Sequence, residues 1–187
     1  MTHLRDEPFE VEVTRSETVY NGYVWDVRED TFRYGNASLV RHYLDHTGAV
    51  AVVALDEQDR VLLIQQYRHP IRMRDWEIPA GLLDIEGEDP RDAAARELAE
   101  EADLQAEHWE DLGNFAVSPG GSEEFVRIFL ATGVSSTGET FDRDGEEADI
   151  RKAWVPFSEV LDGIAAGRLH NGIMTIGVLM AARKLGR

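Results

Sequence analysis

Four glutamates fall between Glu88 and Glu101, in a run that reads "EDPRDAAARELAEE". On a helix, Glu97 and Glu101 are four residues apart, so their Cβ atoms share one face at about 5–6 Å, and Glu100 borders that face. Carboxylates this close repel, by up to about 4 kcal/mol per pair at an effective dielectric of 20. Two arrangements relieve the repulsion. One is a solvated helix face on which Arg96 pairs with Glu100. The other is a hard divalent cation among the carboxylates, which reverses the sign of the interaction. Oxygen ligands favour Mg2+ or Mn2+, and Mg2+ commonly combines one or two carboxylates with substrate phosphates.

The elements that would hold these side chains are legible around them. Asp89 is placed to cap the helix, Pro90 suits its first position, and "AAARELAEEA" has high helix propensity. Ala93, Ala94 and Leu98 offer the packing side, with Leu104 closing the core at the end. Asp103 is a weaker stop than glycine. Upstream, "WEIP" (Trp76–Pro79) reads as a short strand entering the apolar loop "AGLLD". "GAVAVVAL" (Gly48–Leu55) is a continuous apolar run suited to a strand buried on both faces, and "VLLIQQY" (Val61–Tyr67) is its return. Residues 9–46 read as three strands broken by "NG" and "GN". "HWEDLGNFAV", "FVRIFLATGV" and "IRKAWVPF" are later strands. Helices follow near Ser158–Ala166 and over "NGIMTIGVLMAARKLG", where Asn171 is the expected N-cap and Gly186 the stop. Strands, helix, strands, helices in that order predict an α+β class with a mixed sheet.

The whole chain narrows the choice of partners. Its 187 residues, 43% hydrophobic, suit one domain with a small extension. A net charge of −17 disfavours nucleic acid and anionic membranes and attracts divalent cations. No run reaches the roughly 18–20 apolar residues of a membrane span, and "MTHLRDEPFEVEV" is no secretory signal. With no cysteine, disulfides and thiolate chemistry are excluded and a cytoplasmic location is expected.

The glutamate run resembles the Nudix box of hydrolases that act on a nucleoside diphosphate linked to another group. The matching residues are Gly81, Glu88, Arg96, Glu97, Leu98, Glu100, Glu101 and Leu104, with intact spacing from Glu88 onward. Two departures stand out: six residues instead of five separate Gly81 from Glu88, and Asp103 occupies a glycine position. The resemblance implies the Nudix fold, a mixed sheet sandwiched between helices, as residues 48–187, after an N-terminal antiparallel β extension over residues 1–47. It implies metal ligation by Glu97 and Glu101, then Glu100, and by the Ala80 carbonyl. Glu88, Arg96 and Gly81 become orienting partners.

Pro119, sixteen residues past Asp103, resembles a feature of the ADP-ribose pyrophosphatase subgroup, though "SPGG" is also a good turn by itself. "QQYRHPIRMRDWEIPAGLLD" and the N-terminal extension resemble the same subgroup, in which the extension forms a swapped homodimer and helps to build the substrate site. The implied reaction is metal-dependent hydrolysis of ADP-ribose to AMP and ribose 5-phosphate. Such a ligand needs a stacking surface, for which Trp25 is the first candidate before Tyr23, and cations for its diphosphate, with Arg68 ahead of Arg41 and Arg72. Related enzymes carry a glutamate on a mobile loop as base or extra ligand, which here points to Glu146 or Glu147 in "DRDGEEADI". The rival readings are a Nudix hydrolase of another nucleotide sugar or of a dinucleoside polyphosphate, and a Nudix module that only binds ADP-ribose-like ligands.

Overall fold

β4 (Ala49–Ala54) organises the fold that carries the glutamates, because every one of its residues is buried. Ala49, Ala51 and Val53 face a core built with Phe157, Val160, Met174 and Val178. Val50, Val52 and Ala54 face a second core with Ala93, Ala94, Leu98 and Ala102. The two-residue period of a strand sends alternate side chains to opposite faces, so the apolar run seen in the sequence serves two helical layers. The computed structural model describes residues 4–141 and 149–187.

These residues form two compact units. The larger spans Thr47–Val117 and Phe125–Arg187. After β4 it contains β5 (Arg60–Arg68), β6 (Met73–Glu77), β7 (Ala80–Leu82), α1 (Pro90–Ala102), β8 (Leu104–Ala116), β9 (Phe125–Ser136), β10 (Arg151–Pro156), α2 (Phe157–Ala165) and α3 (Gly172–Lys184). One sheet has the order β7-β4-β9-β8 and the other β10-β5-β6. β4 and β9 run parallel while their outer neighbours are antiparallel, which makes the first sheet mixed. α1 covers one face and α2 with α3 the other, as an α+β Nudix sandwich requires. α3 begins as its sequence predicts, with the Asn171 side chain accepting the Met174 N–H at 2.8 Å. Among the described residues no helix is long and apolar enough to cross a membrane.

Several strands start away from their sequence limits. β6 begins at Met73 rather than Trp76 because it pairs with β5 from Arg68↔Met73 to Ile64↔Glu77. β8 starts at Leu104, opposite Ser136, rather than at His108. In both, a neighbouring strand supplies hydrogen bonds that local composition does not announce.

The smaller unit comprises the chain up to His46 together with Ser118–Glu124. It holds β1 (Val13–Tyr20), β2 (Asp26–Tyr34) and β3 (Ala37–Asp45) in an antiparallel meander. Ser118–Glu124 turns tightly, with Gly121 and Ser122 N–H groups donating to the Ser118 carbonyl, and joins β3 through Leu44 N–H to the Gly121 carbonyl at 2.9 Å. The turn is legible in "SPGGSEE"; its attachment to β3 is not.

One consequence can be tested by titration. Partial desolvation, and then the hydrogen bond it shares with Asp45, push the carboxyl of solvent-exposed Glu123 above its ordinary range, with Arg28 opposing, so the effect on stability is small. A carboxyl raised on folding stabilises the fold while protonated, and that contribution is lost as pH rises through the folded value. Glu123→Gln keeps a neutral donor toward Asp45. The variant is expected to raise the thermal midpoint slightly at about pH 7 and leave it unchanged at about pH 4, as read by calorimetry.

Candidate functional site

α1 forms where its sequence predicts. The Asp89 side chain accepts the Arg91 N–H at 2.9 Å, Pro90 follows, and Asp103 ends the helix in the left-handed region at φ 62°, ψ 33°. Asp tolerates that region better than most residues, so it does the backbone work of a glycine. Ala93, Ala94 and Leu98 are fully buried against the β4 layer, which leaves the glutamates on the flank beside β7. There Gly81 and Ala80 pair with Val50 and Ala51 of β4.

Glu101 is 5% exposed, and its Oε2 accepts the Ala80 N–H at 2.9 Å. That bond ties helix to strand and meets the need of a buried carboxylate for a donor. Arg96 lies among the remaining carboxylates. It donates to both oxygens of Glu88 at 3.2 and 3.1 Å, to Glu97 Oε1 at 2.5 Å and to Glu100 Oε2 at 3.3 Å. The Glu88 hydrogen bonds, followed by the Glu97 charge, hold the guanidinium pKa above its ordinary value against the cost of burial.

The Arg96–Glu100 pair is what a solvated helix face would show, and the Glu100 side chain is 45% exposed. The same reading does not account for Glu88 and Glu97, whose side chains are 15% and 13% exposed, nor for Glu101. Gly81 completes the arrangement: a methyl group on its Cα would land on the Glu97 carboxylate. Arg96→Met would take from partly buried Glu88 its two hydrogen bonds and is expected to cost about 2–3 kcal/mol, read from urea titrations.

Among the described residues, no three Asp, Glu or His side chains converge to hold a metal by themselves. Glu101 contacts the Ala80 N–H and Glu97 contacts Arg96. The donor set still suits a hard divalent cation. It is all oxygen, its carboxylates outnumber the single guanidinium, and Gly81 leaves a cradle against Glu97 that a Cβ would fill. Diphosphate oxygens commonly complete such a shell.

Ala80, Gly81, Glu88, Arg96, Glu97, Glu100 and Glu101 are thus assembled in the larger unit. Arg68, expected to meet phosphate, makes a bidentate pair with buried Glu77 at 2.7 Å through Nε and one Nη. It anchors the strand that leads into Ala80. Trp25, Arg41 and Pro119 belong to the smaller unit. Trp25 is 41% exposed and stacks on His46, with ring centroids 5.4 Å apart. Arg41 is exposed and donates to the Val40 carbonyl. Pro119 lies within the Ser118–Ser122 turn. Glu146 and Glu147 lie outside the described residues.

Sequence reasoning missed Glu77 and His46. Glu77 sits in "WEIP" as a polar residue between apolar neighbours, a signal that it needs a buried partner. No local pattern singles out His46.

The chain matches the family model for the NUDIX domain over residues 45–172. It is 41% identical over 169 residues to an ADP-ribose pyrophosphatase of Mycobacterium tuberculosis, covering 90% of this chain and 81% of that protein. A methanol dehydrogenase activator of Bacillus methanolicus is 33% identical, with 91% of each chain covered. A crystal structure of an ADP compounds hydrolase shares the fold, with a TM-score of 0.80 at 18% identity and 97% of each chain covered.

Proposed function

The chain belongs to the Nudix family, and from that premise we propose that it hydrolyses the pyrophosphate bond of ADP-ribose to give AMP and ribose 5-phosphate. The observation that carries the reading is the pair of sequestered glutamates, Glu97 and Glu101, beside Ala80 and Gly81. The choice of substrate is supported by the 41% identity to an ADP-ribose pyrophosphatase and by the spacing of Pro119.

Glu97, Glu101 and Glu100, with the Ala80 carbonyl, would hold a divalent cation, Mg2+ or Mn2+, which when bound neutralises diphosphate oxygens and lowers the pKa of water. Arg96 keeps Glu88 and Glu97 in place, and the Glu101–Ala80 bond fixes the strand against the helix. Water attacks one phosphorus, the bridging P–O bond breaks, and Glu146 or Glu147 accepts the proton. Phosphoryl chemistry asks chiefly for such positioning and charge neutralisation. Trp25 would stack on the adenine and Arg41 would meet the diphosphate, whereas Arg68 would reach it only by giving up its pair with Glu77. Exposed Val13, Val19, Tyr20 and Val40 on the three-stranded sheet support a homodimer, and the cysteine-free sequence supports a cytoplasmic location.

Incubation with ADP-ribose and Mg2+, followed by ion-exchange separation, is expected to yield AMP and ribose 5-phosphate in equal amounts. Turnover only of another nucleotide sugar or of a dinucleoside polyphosphate would move the substrate within the family. Binding of ADP-ribose without turnover would make the chain a binding module.

A further inference from the structure

Asp103 stands where the Nudix box has glycine, and its side chain makes contacts that a glycine could not. Its Oδ1 accepts the Phe141 N–H at 3.2 Å and its Oδ2 accepts Lys152 Nζ at 2.5 Å. The same ammonium donates to the Ala102 carbonyl, the last of α1, at 3.1 Å. The Asp103 carbonyl accepts both the N–H and the hydroxyl of Thr137, at 3.1 and 3.3 Å. Lys152 lies on β10 opposite Ile64 of β5. One residue therefore joins the end of α1 to β10 and to the chain leaving β9.

Charge explains why this junction is needed here. The C-terminal end of a helix carries partial negative charge, which opposes carboxylates in its last turn. α1 has Glu100 and Glu101 there and no basic residue of its own. Lys152 supplies the missing cation from another strand, and Asp103 holds it against the last carbonyl.

We propose that Asp103 and Lys152 are a positioning pair that fixes the last turn of α1, and with it Glu101, for cation binding. This rests on the reading of Glu97 and Glu101 as cation-holding. Glu101 lies two residues before Asp103, so loosening that turn frees its carboxylate from the place set by the Ala80 N–H.

The test uses the full chain and Mn2+ alone, with binding read from the electron paramagnetic resonance of the free ion and backbone order from amide hydrogen exchange. Asp103→Gly restores the box residue and removes both side-chain contacts, and Lys152→Met removes the cation. Each is expected to weaken Mn2+ binding by about 10-fold, the range for partners that orient metal ligands. Exchange should quicken at Ala99–Leu104 and Thr137–Phe141. The double variant Asp103→Asn/Lys152→Met should bind no more weakly than Lys152→Met alone, because the two act as one device. Mn2+ affinity within about twofold of wild type in Asp103→Gly would overturn the proposal, and faster exchange with that affinity would leave only a helix cap. A wild-type chain with no Mn2+ affinity would overturn the proposal together with the cation site. Mn2+ binding without AMP release would sink only the choice of substrate.

Discussion

Glu101→Gln is expected to lower kcat/KM for ADP-ribose by more than about 100-fold while the protein stays folded. Losing a residue that merely orients a metal ligand costs about 10–100-fold, and Glu101 is assigned as a ligand itself. The amide oxygen of the variant can still accept the Ala80 N–H, so the link between β7 and α1 survives. The charge is lost, and the new NH2 group enters a position 5% exposed, which lowers stability by about 1–3 kcal/mol unless it finds an acceptor. Glu97→Gln should behave alike, with a further loss from its contact to Arg96. Glu100→Gln, at the third of the proposed ligands, is expected to have a smaller effect, because its side chain is 45% exposed and makes one longer contact. Steady-state kinetics at saturating Mg2+, with circular dichroism on each variant, decide the matter. Near-wild-type turnover in Glu97→Gln and Glu101→Gln would remove the cation assignment.

Gly81→Ala is expected to have an effect of similar size from a single methyl group. Gly81 does not occupy the left-handed region, so alanine suits its backbone. The added Cβ coincides with the Glu97 carboxylate, the far end of a flexible side chain, which can move aside. The fold should therefore persist while the carboxylate is driven from its place next to Arg96. Turnover should fall by about 100-fold, with the unfolding free energy from urea titration lowered by less than about 1 kcal/mol. A large loss of stability with unchanged specific activity of the folded fraction would mean that the strand, not Glu97, yields to the methyl group.

The sequence was most readable where short-range physics decides the outcome. Asp89, Pro90 and the alanine-rich run define α1, and Asn171 caps α3 as its position predicts. The unbroken apolar run of β4 announced a strand covered on both faces. The glutamate spacing showed which carboxylates share a face. Hidden from it was everything set by residues distant in the chain. Glu77 claims two Arg68 nitrogens across the β5–β6 pair, Lys152 reaches α1 from a strand 49 residues beyond Asp103, and His46 lies against Trp25. Each contact depends on strand register, which emerges only when sheets assemble.

Ser118–Glu124 sits within the larger unit's sequence yet folds with the smaller one, its backbone bonded to Leu44. The polypeptide therefore passes from one unit to the other at three places, after His46, after Val117 and after Glu124. A truncation starting at Thr47 would not excise a self-contained module; it would strip the β8–β9 connection of its anchorage. Grafting this N-terminal region onto a relative without it would call for a matched replacement of that connection as well, so the two segments behave as one inheritable cassette split across the gene.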